Sequence, residues 1–300
     1  VSSPFHPGEI AVQTRAGVQH GASKIGRSIE DEIPPAAAHF LAQRYSLYVG
    51  SLDACGRPWA SELVGPPGFV RVTDPRTVLI EAAPEAGDAL MQRIGANPDV
   101  GLLAIDFVTR RRFRVNGRAA VSPSGTIHVA VAQAYGNCPK YIQRREPTEV
   151  SEDISAGANV TESTRLSAAQ RARIESADTF FLATAHPTAG ADVSHRGGAP
   201  GFVHTLDDRT LVWPDYQGNT MFMSLGNLET HPYAGLLFVE YESGDVLQLT
   251  GAARIDWDPV RAVTFRGAER VIEIQVEAVV DAPGASPLRW RLVERSPANP

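Results

Sequence analysis

The sequence predicts a mainly β protein with peripheral helices (α+β), built as two tandem barrels. Two observations carry this. First, residues 65–77 return as 198–210, with 8 of 13 positions identical at an offset of 198 − 65 = 133. Residues 98–107 return as 232–241 at an offset of 134, which Gly117 and Gly251 keep. Unrelated windows of that length share roughly one identity, so a domain has been duplicated. Second, short runs of alternating apolar residues, bounded by Gly, Pro and Asp turns, recur in the same order in both copies.

Each element has a local reason. Residues 1–33 form an extension without a counterpart in the second copy. Residues 9–18 suit a short helix, and Gly17, Gly21 and Gly26 break the pattern after it. Pro34 and Pro35 open a helix to about residue 44, because proline is tolerated in a first turn. Residues 45–52 then read as a strand. In copy two Ser167 caps a helix to about residue 176, and 179–185 is the matching strand. Strands near 60–64, 69–72 and 77–80 follow in copy one, then a helix near 88–96 and strands over 100–107 and 112–121. Copy two gives 192–195, 202–205 and 210–213, a helix near 221–229, and strands over 234–241 and 246–255. The last strand of each copy alternates cleanly, with Ile127, Val129 and Val131 against Ile272, Ile274 and Val276. About six strands with one or two helices per copy suggest a small closed barrel. The domains divide as 34–146, a polar linker over 147–164, and 165–300.

Composition narrows the function. The 300 residues carry a formal net charge of −6, which argues against a general nucleic-acid binder, since that needs a basic face. A local basic pocket for one phosphate remains compatible with it. The two cysteines, Cys55 and Cys138, cannot build a disulfide scaffold, so a reducing cytoplasm is the expected compartment. No apolar run approaches the roughly 20 residues of a membrane span, and the N-terminus lacks a signal-peptide layout. The scattered histidines show no zinc-site spacing, and no Gly-x-Gly-x-x-Gly follows a strand.

The copies differ where a ligand could sit. After the third strand, copy two reads Trp213-Pro214-Asp215-Tyr216-Gln217-Gly218-Asn219-Thr220, just before a helix. An amide, a hydroxyl and a glycine at a helix start suit an anion. Copy one has Glu81, Glu85 and Asp88 there, which repel one. Copy two also has Ser194, His195 and Arg196 together, where copy one has Ser61, Glu62 and Leu63. The asymmetry points to one anionic-ligand site, in copy two. His195 alone reads equally as a packed histidine. Trp213 reads as core, and Pro200, Gly201, Gly68, Asp207 and Asp208 as turn residues. The Arg110-Arg111-Arg112 run is either a solvated strand edge or a phosphate or partner contact. The string Asn137-Cys138-Pro139-Lys140-Tyr141-Ile142-Gln143-Arg144-Arg145 follows the last strand of copy one and has no polar counterpart in copy two. Lys140 would stabilise a Cys138 thiolate, but no His–Asp set completes a nucleophile, so the string reads as a wall of the neighbouring site.

These residues resemble a known family. Residues 192–198, Pro200 to Val203, Asp207 to Leu211, Asp215-Tyr216, Gly218-Asn219, 225–228 and 247–251 are similar to the pyridoxamine 5′-phosphate oxidase-like FMN-binding split barrels. The 137–143 string fits a tandem subgroup. The resemblance implies two split β-barrels packed as an internal pseudo-dimer, with flavin in the cleft between them. It implies an FMN-dependent oxidoreductase, exchanging a hydride or electrons with a small-molecule substrate or with a nicotinamide or deazaflavin electron donor. Association into a homodimer stays open. Carried over by position, Ser194, His195 and Arg196 lie near the phosphate or ribityl chain, and Asp215, Tyr216 and Asn219 on the phosphate loop. Lys140 and Gln143 are donors reaching the flavin from copy one. The basic Ser-Arg-Lys string of the biosynthetic oxidases is missing near Gly218, so Arg196 or a basic residue of copy one has to compensate. Their Arg-x-His substrate signature is not evident near the C-terminus, so pyridoxamine phosphate is not the expected substrate. The alternative from another class is a haem- or flavin-binding sensor or accessory module without turnover.

Overall fold

The two copies fold with one topology. The computed structural model describes residues 3–85, 87–150 and 159–300. The extension forms α1 (Pro7–Arg15) and α2 (Gln19–Ile25). His6 caps α1, accepting from the Gly8 amide at 3.1 Å while the Glu9 carboxylate accepts from the His6 amide at 2.8 Å. Gly21 lies inside α2, so it does not break the helix there as its propensity suggests.

Copy one then runs α3 (Pro35–Ala42), β1 (Ser46–Leu52), β2 (Pro58–Val64), β3 (Val70–Asp74), β4 (Thr77–Ile80), α4 (Leu90–Ala96), β5 (Asp99–Asp106), β6 (Arg111–Val121) and β7 (Ile127–Gly136). Its sheet order is β2-β1-β5-β6-β7-β4-β3. After β8 (Arg144–Val150) and β9 (Thr161–Ser163), copy two runs α5 (Ala168–Ser176), β10 (Thr179–His186), β11 (Gly190–Gly197), β12 (His204–Thr205), β13 (Thr210–Tyr216), α6 (Met223–Thr230), β14 (Tyr233–Val239), β15 (Val246–Asp256), α7 (Pro259–Ala262), β16 (Ala268–Ala282) and β17 (Leu288–Glu294). Its order, β11-β10-β14-β15-β16-β13-β12, is the same path. Neither path closes on itself, so the barrels are split rather than closed.

The linker expectation needs correction. Residues 147–150 continue β8, which pairs antiparallel with β17, and β9 adds to β16. Residues 151–158 lie outside the described residues. The sequence hid β8 because Arg144, Arg145, Glu146 and Pro147 show no apolar alternation. Its partner β17 buries Leu288 and Trp290 between the barrels.

The repeated glycines now have causes. At Gly117 and Gly251 the pairing register shifts, and a Cβ would lie 2.1 Å from the Ala130 carbonyl oxygen and 2.0 Å from that of Gln275. Gly101 and Gly235 admit the other barrel. A Cβ on Gly101 would lie 2.5 Å from Asp192 Cα, and one on Gly235 would lie 2.4 Å from the Pro58 oxygen. Each barrel has its own core, and a third cluster lies between them. Its centre is Tyr48 stacked on Phe181, 133 residues on, with ring centroids 3.4 Å apart and planes 15° apart. Gly101→Ala is therefore expected to separate the barrels locally and cost about 1–3 kcal/mol, read as a lower denaturation midpoint. A variant as stable as wild type would mean the backbone yields at this contact.

Among the described residues no helix is long and apolar enough to cross a membrane.

Candidate functional site

A cavity of about 430 Å³ opens where the second barrel meets copy one and the N-terminal extension. The expected residues converge on it. Ser194, His195 and Arg196 come from β11, Asp215 and Tyr216 from the end of β13, Asn219 from the loop before α6, and Lys140 crosses from copy one.

Gln143 does not belong there. It is fully buried behind the wall. Its amide donates to the carbonyls of Tyr141 at 3.2 Å and Gly198 at 3.1 Å, and its oxygen accepts from the Ser296 amide at 2.7 Å. It staples the copy-one string to the second barrel and the C-terminal segment. Its neighbours in that string do reach the cavity. The Lys140 ammonium donates to Gln217 Oε1 at 3.1 Å, and the Tyr141 hydroxyl donates to the Gln217 carbonyl at 2.9 Å. Tyr141 packs on Tyr216 with centroids 5.2 Å apart. Asn137 and Cys138 line the same wall.

Three more arginines line it: Arg112, from the run read as either a strand edge or a phosphate contact, and Arg114 and Arg270, which the sequence did not single out. Arg112 and Arg114 reach in from β6 of copy one, and Arg270 from β16. Alternation along β6 was their signal, since Arg112 and Arg114 share a face of that strand where copy two has Val246 and Gln248. With Arg196 and Lys140 the lining holds five cations against two carboxylates, Asp215 and Glu269. Most are internally compensated. Arg114 pairs with Asp192 at 2.6 Å, and Asp215 sits between Arg196 at 3.2 Å and Arg270 at 3.6 Å. Asp215 thus orients two arginines rather than meeting an anion itself. Burial raises the pKa of its carboxyl, although Arg196 and Arg270 oppose that shift. Arg270 also contacts Glu269 and lies over the rings of Phe222, at 4.7 Å, and Trp257, at 4.9 Å.

Arg112 differs from the others. Among the described residues it has no ion pair and no side-chain hydrogen bond, and its Nε is buried. Burial, then the like charges of Arg114 and Arg196, bring its pKa down to about 10. His195 is 5% exposed and neither ring nitrogen has a partner. Burial, then the positive charges of Arg112, Arg145 and Arg196, hold its pKa well below the usual histidine range, so the ring is neutral. A neutral imidazole offers one donor and one acceptor. Buried polar groups are seldom left unsatisfied, so this donor set is complementary to a bound anion with polar edges.

The floor is the start of α6. Met223, Ser224 and Leu225 line the cavity, and no side chain caps the helix. Its first amides therefore lack intrahelical partners. The Ser194 hydroxyl lies 3.0 Å from that of Ser224.

The matching place in copy one is filled by protein. Arg93 pairs with Asp88 and donates to Ser61 Oγ at 2.8 Å and Ser51 Oγ at 3.1 Å. Gln248, 134 residues after Arg114, donates to Asp88 Oδ2 at 2.8 Å. Glu62 takes the place of His195. Burial raises its pKa to about 7, and burial with Glu62 and Asp88 nearby raises that of Glu85 to about 8. An anion has no place there.

A family model described as pyridoxamine 5′-phosphate oxidase matches the chain twice, over residues 33–154 and 166–289. No curated protein matches it. Among solved structures, the chain is similar to a putative pyridoxamine 5′-phosphate oxidase from Lactobacillus delbrueckii, at 17% identity and TM-score 0.32, over 39% of this chain and 94% of that one. It is also similar to an F420 reductase, at 16% identity and TM-score 0.27, over 35% and 89% of the two chains. HutZ, a haem storage protein from Vibrio cholerae, is similar at 14% identity and TM-score 0.29, over 38% and 91%.

Proposed function

The chain belongs to the pyridoxamine 5′-phosphate oxidase family, as a tandem member, and we propose that it is an FMN-dependent oxidoreductase holding one flavin in the cavity of its second barrel. The observation that carries this is Arg112, a half-buried cation with a buried Nε and, among the described residues, no carboxylate partner, beside His195, whose ring nitrogens are both unpartnered. A phosphate monoester supplies the missing negative charge. Its oxygens would be held by Arg112 and Arg196, by the Ser194 and Ser224 hydroxyls, and by the open first turn of α6. Asp215 fixes the angle of Arg196 and Arg270. Tyr216, Asn219 and Lys140 would line the rest of the ligand. Bound FMN supplies hydride or electron transfer, and the protein supplies position and electrostatics. His195, being neutral, can bond a polar edge of the ligand without adding charge. Lys140 and Arg270 keep that environment positive, which favours a reduced, anionic cofactor. The redox partner we assign by class is a nicotinamide or deazaflavin donor, or a small oxidisable molecule.

A second reading rests on the same imidazole. A neutral, unpartnered histidine also suits metal coordination, so a haem-binding accessory role is the alternative. Haem propionates could also meet Arg112 and the helix start, so we rank this reading second on the family match alone.

Titration separates the readings. One FMN per chain is expected, bound at least about tenfold more tightly than riboflavin, which lacks the phosphate. Two equivalent tight sites, or equal affinity for the two flavins, would remove the phosphate site from the second barrel.

A further inference from the structure

The extension has no counterpart in the second copy, yet it is built into the cavity. Ala16 and Val18 line it, and the Arg15 guanidinium lies 4.4 Å over Trp257, the ring that Arg270 also covers. On its other side the extension grips the segment that leads into α6. Phe5 and Ala22 cluster with Met221, Met223 and Tyr135, the last from copy one. Gln13, 1% exposed, donates from its amide to the Met221 carbonyl at 2.9 Å. Helices α1 and α6 cross at glycines. A Cβ on Gly8 would lie 2.3 Å from the Gly226 oxygen, and one on Gly226 would lie 2.4 Å from Glu9 Cγ.

The gripped segment is strained. Thr220 has φ 65° and Phe222 φ 59°, both left-handed and neither glycine. Such backbone persists only where its surroundings hold it, and threonine, being β-branched, tolerates it poorly. Here the holding comes from Gln13 and Phe5 on the two residues flanking Phe222. That left-handed turn lets α6 begin without a side-chain cap, with its first residues on the cavity beside the unpartnered His195.

We propose that the extension is a positioning element of the ligand site, in which Gln13 and the Gly8–Gly226 crossing hold the left-handed turn at Phe222 and thereby keep the first turn of α6 open to the ligand's phosphate. This rests on the reading of the cavity as a phosphate site. In copy one the matching place is closed by the Arg93–Asp88 pair. The extension therefore belongs to the surviving site rather than to the barrel fold.

The test uses the full chain with three variants and three probes. Gln13→Leu removes the amide but keeps the bulk. Gly8→Ala pushes α1 away from α6 without touching the cavity. Gly21→Ala is the control in the same extension, since its Cβ would lie an ordinary 3.8 Å from Thr220 Oγ1. Affinities for FMN and riboflavin are measured together with the rise in melting temperature given by inorganic phosphate. Gln13→Leu and Gly8→Ala are expected to lose about tenfold in FMN affinity, the size of one hydrogen bond. They should also lose the phosphate-induced rise, while riboflavin affinity stays within about twofold. Gly21→Ala should match wild type throughout. Unchanged FMN and phosphate binding in both variants would overturn the proposal. Equal losses for FMN and riboflavin would also overturn it, because the extension would then only support the fold. A wild-type chain that responds to neither FMN nor phosphate would overturn the phosphate reading, and the proposal with it.

Discussion

Arg112→Ala is expected to weaken FMN binding by roughly tenfold to a hundredfold, with the fold intact. A charge-assisted bond to a phosphate contributes about 1.5–3 kcal/mol, and Arg112 is the lining arginine that no carboxylate among the described residues compensates. Its removal also relieves like-charge repulsion on Arg114 and Arg196, so the empty protein should not be destabilised. Arg196, which sequence reasoning made the anchor, shares Asp215 with Arg270. Arg196→Ala should therefore cost less, because part of its charge is already spent within the protein. Flavin-fluorescence titration of the two variants at fixed salt measures the difference. A folded Arg112→Ala chain with wild-type affinity would move the phosphate elsewhere.

Glu62→Gln is expected to stabilise the protein at pH 8 by about 3 kcal/mol, with the gain vanishing in acid. Glu62 is 2% exposed, with the Ser286 and Tyr48 hydroxyls as its near polar neighbours. Burial raises its pKa from 4.5 to about 7, although hydrogen bonds from the Ser286 and Tyr48 hydroxyls oppose the shift. Between those values the folded state holds a proton that the unfolded chain has released, so wild-type stability falls as pH rises through that window. Below 4.5 both states are protonated, and above 7 the loss is complete. The glutamine variant lacks this titration and should show a flatter profile. Melting temperatures of both proteins between pH 4 and 9 check it. Parallel profiles would mean that Glu62 is solvated or paired.

The contrast between Glu62 and His195 shows what the sequence could reveal. These residues are 133 apart and structurally equivalent, and their difference, with that of the loops at 215–220 and 81–88, pointed to the second barrel. The duplicated topology was legible because barrel geometry constrains particular glycines. Gly117 and Gly251 mark the register shifts, and Gly101 and Gly235 mark the barrel contact. The Arg112 reading stayed divided between strand edge and phosphate contact, and Arg114 was not singled out, because a strand of one barrel lines the cavity of the other, which depends on how the copies dock. Gln143 was misplaced for the converse reason. A donor-rich string follows the barrel strand, but only the fold decides which side chains face the ligand and which staple the backbone. β8 was missed because its burial depends on β17, which follows nearly 140 residues later.

The central claim is that a flavin phosphate lies in the second barrel's cavity, held partly by copy one. The most direct test is the absorption spectrum of the purified full chain, with the bound cofactor then released and identified. The account predicts the bands of oxidised flavin and recovery of FMN at one per chain. A Soret band, or a colourless protein that takes up no FMN on reconstitution, would contradict it.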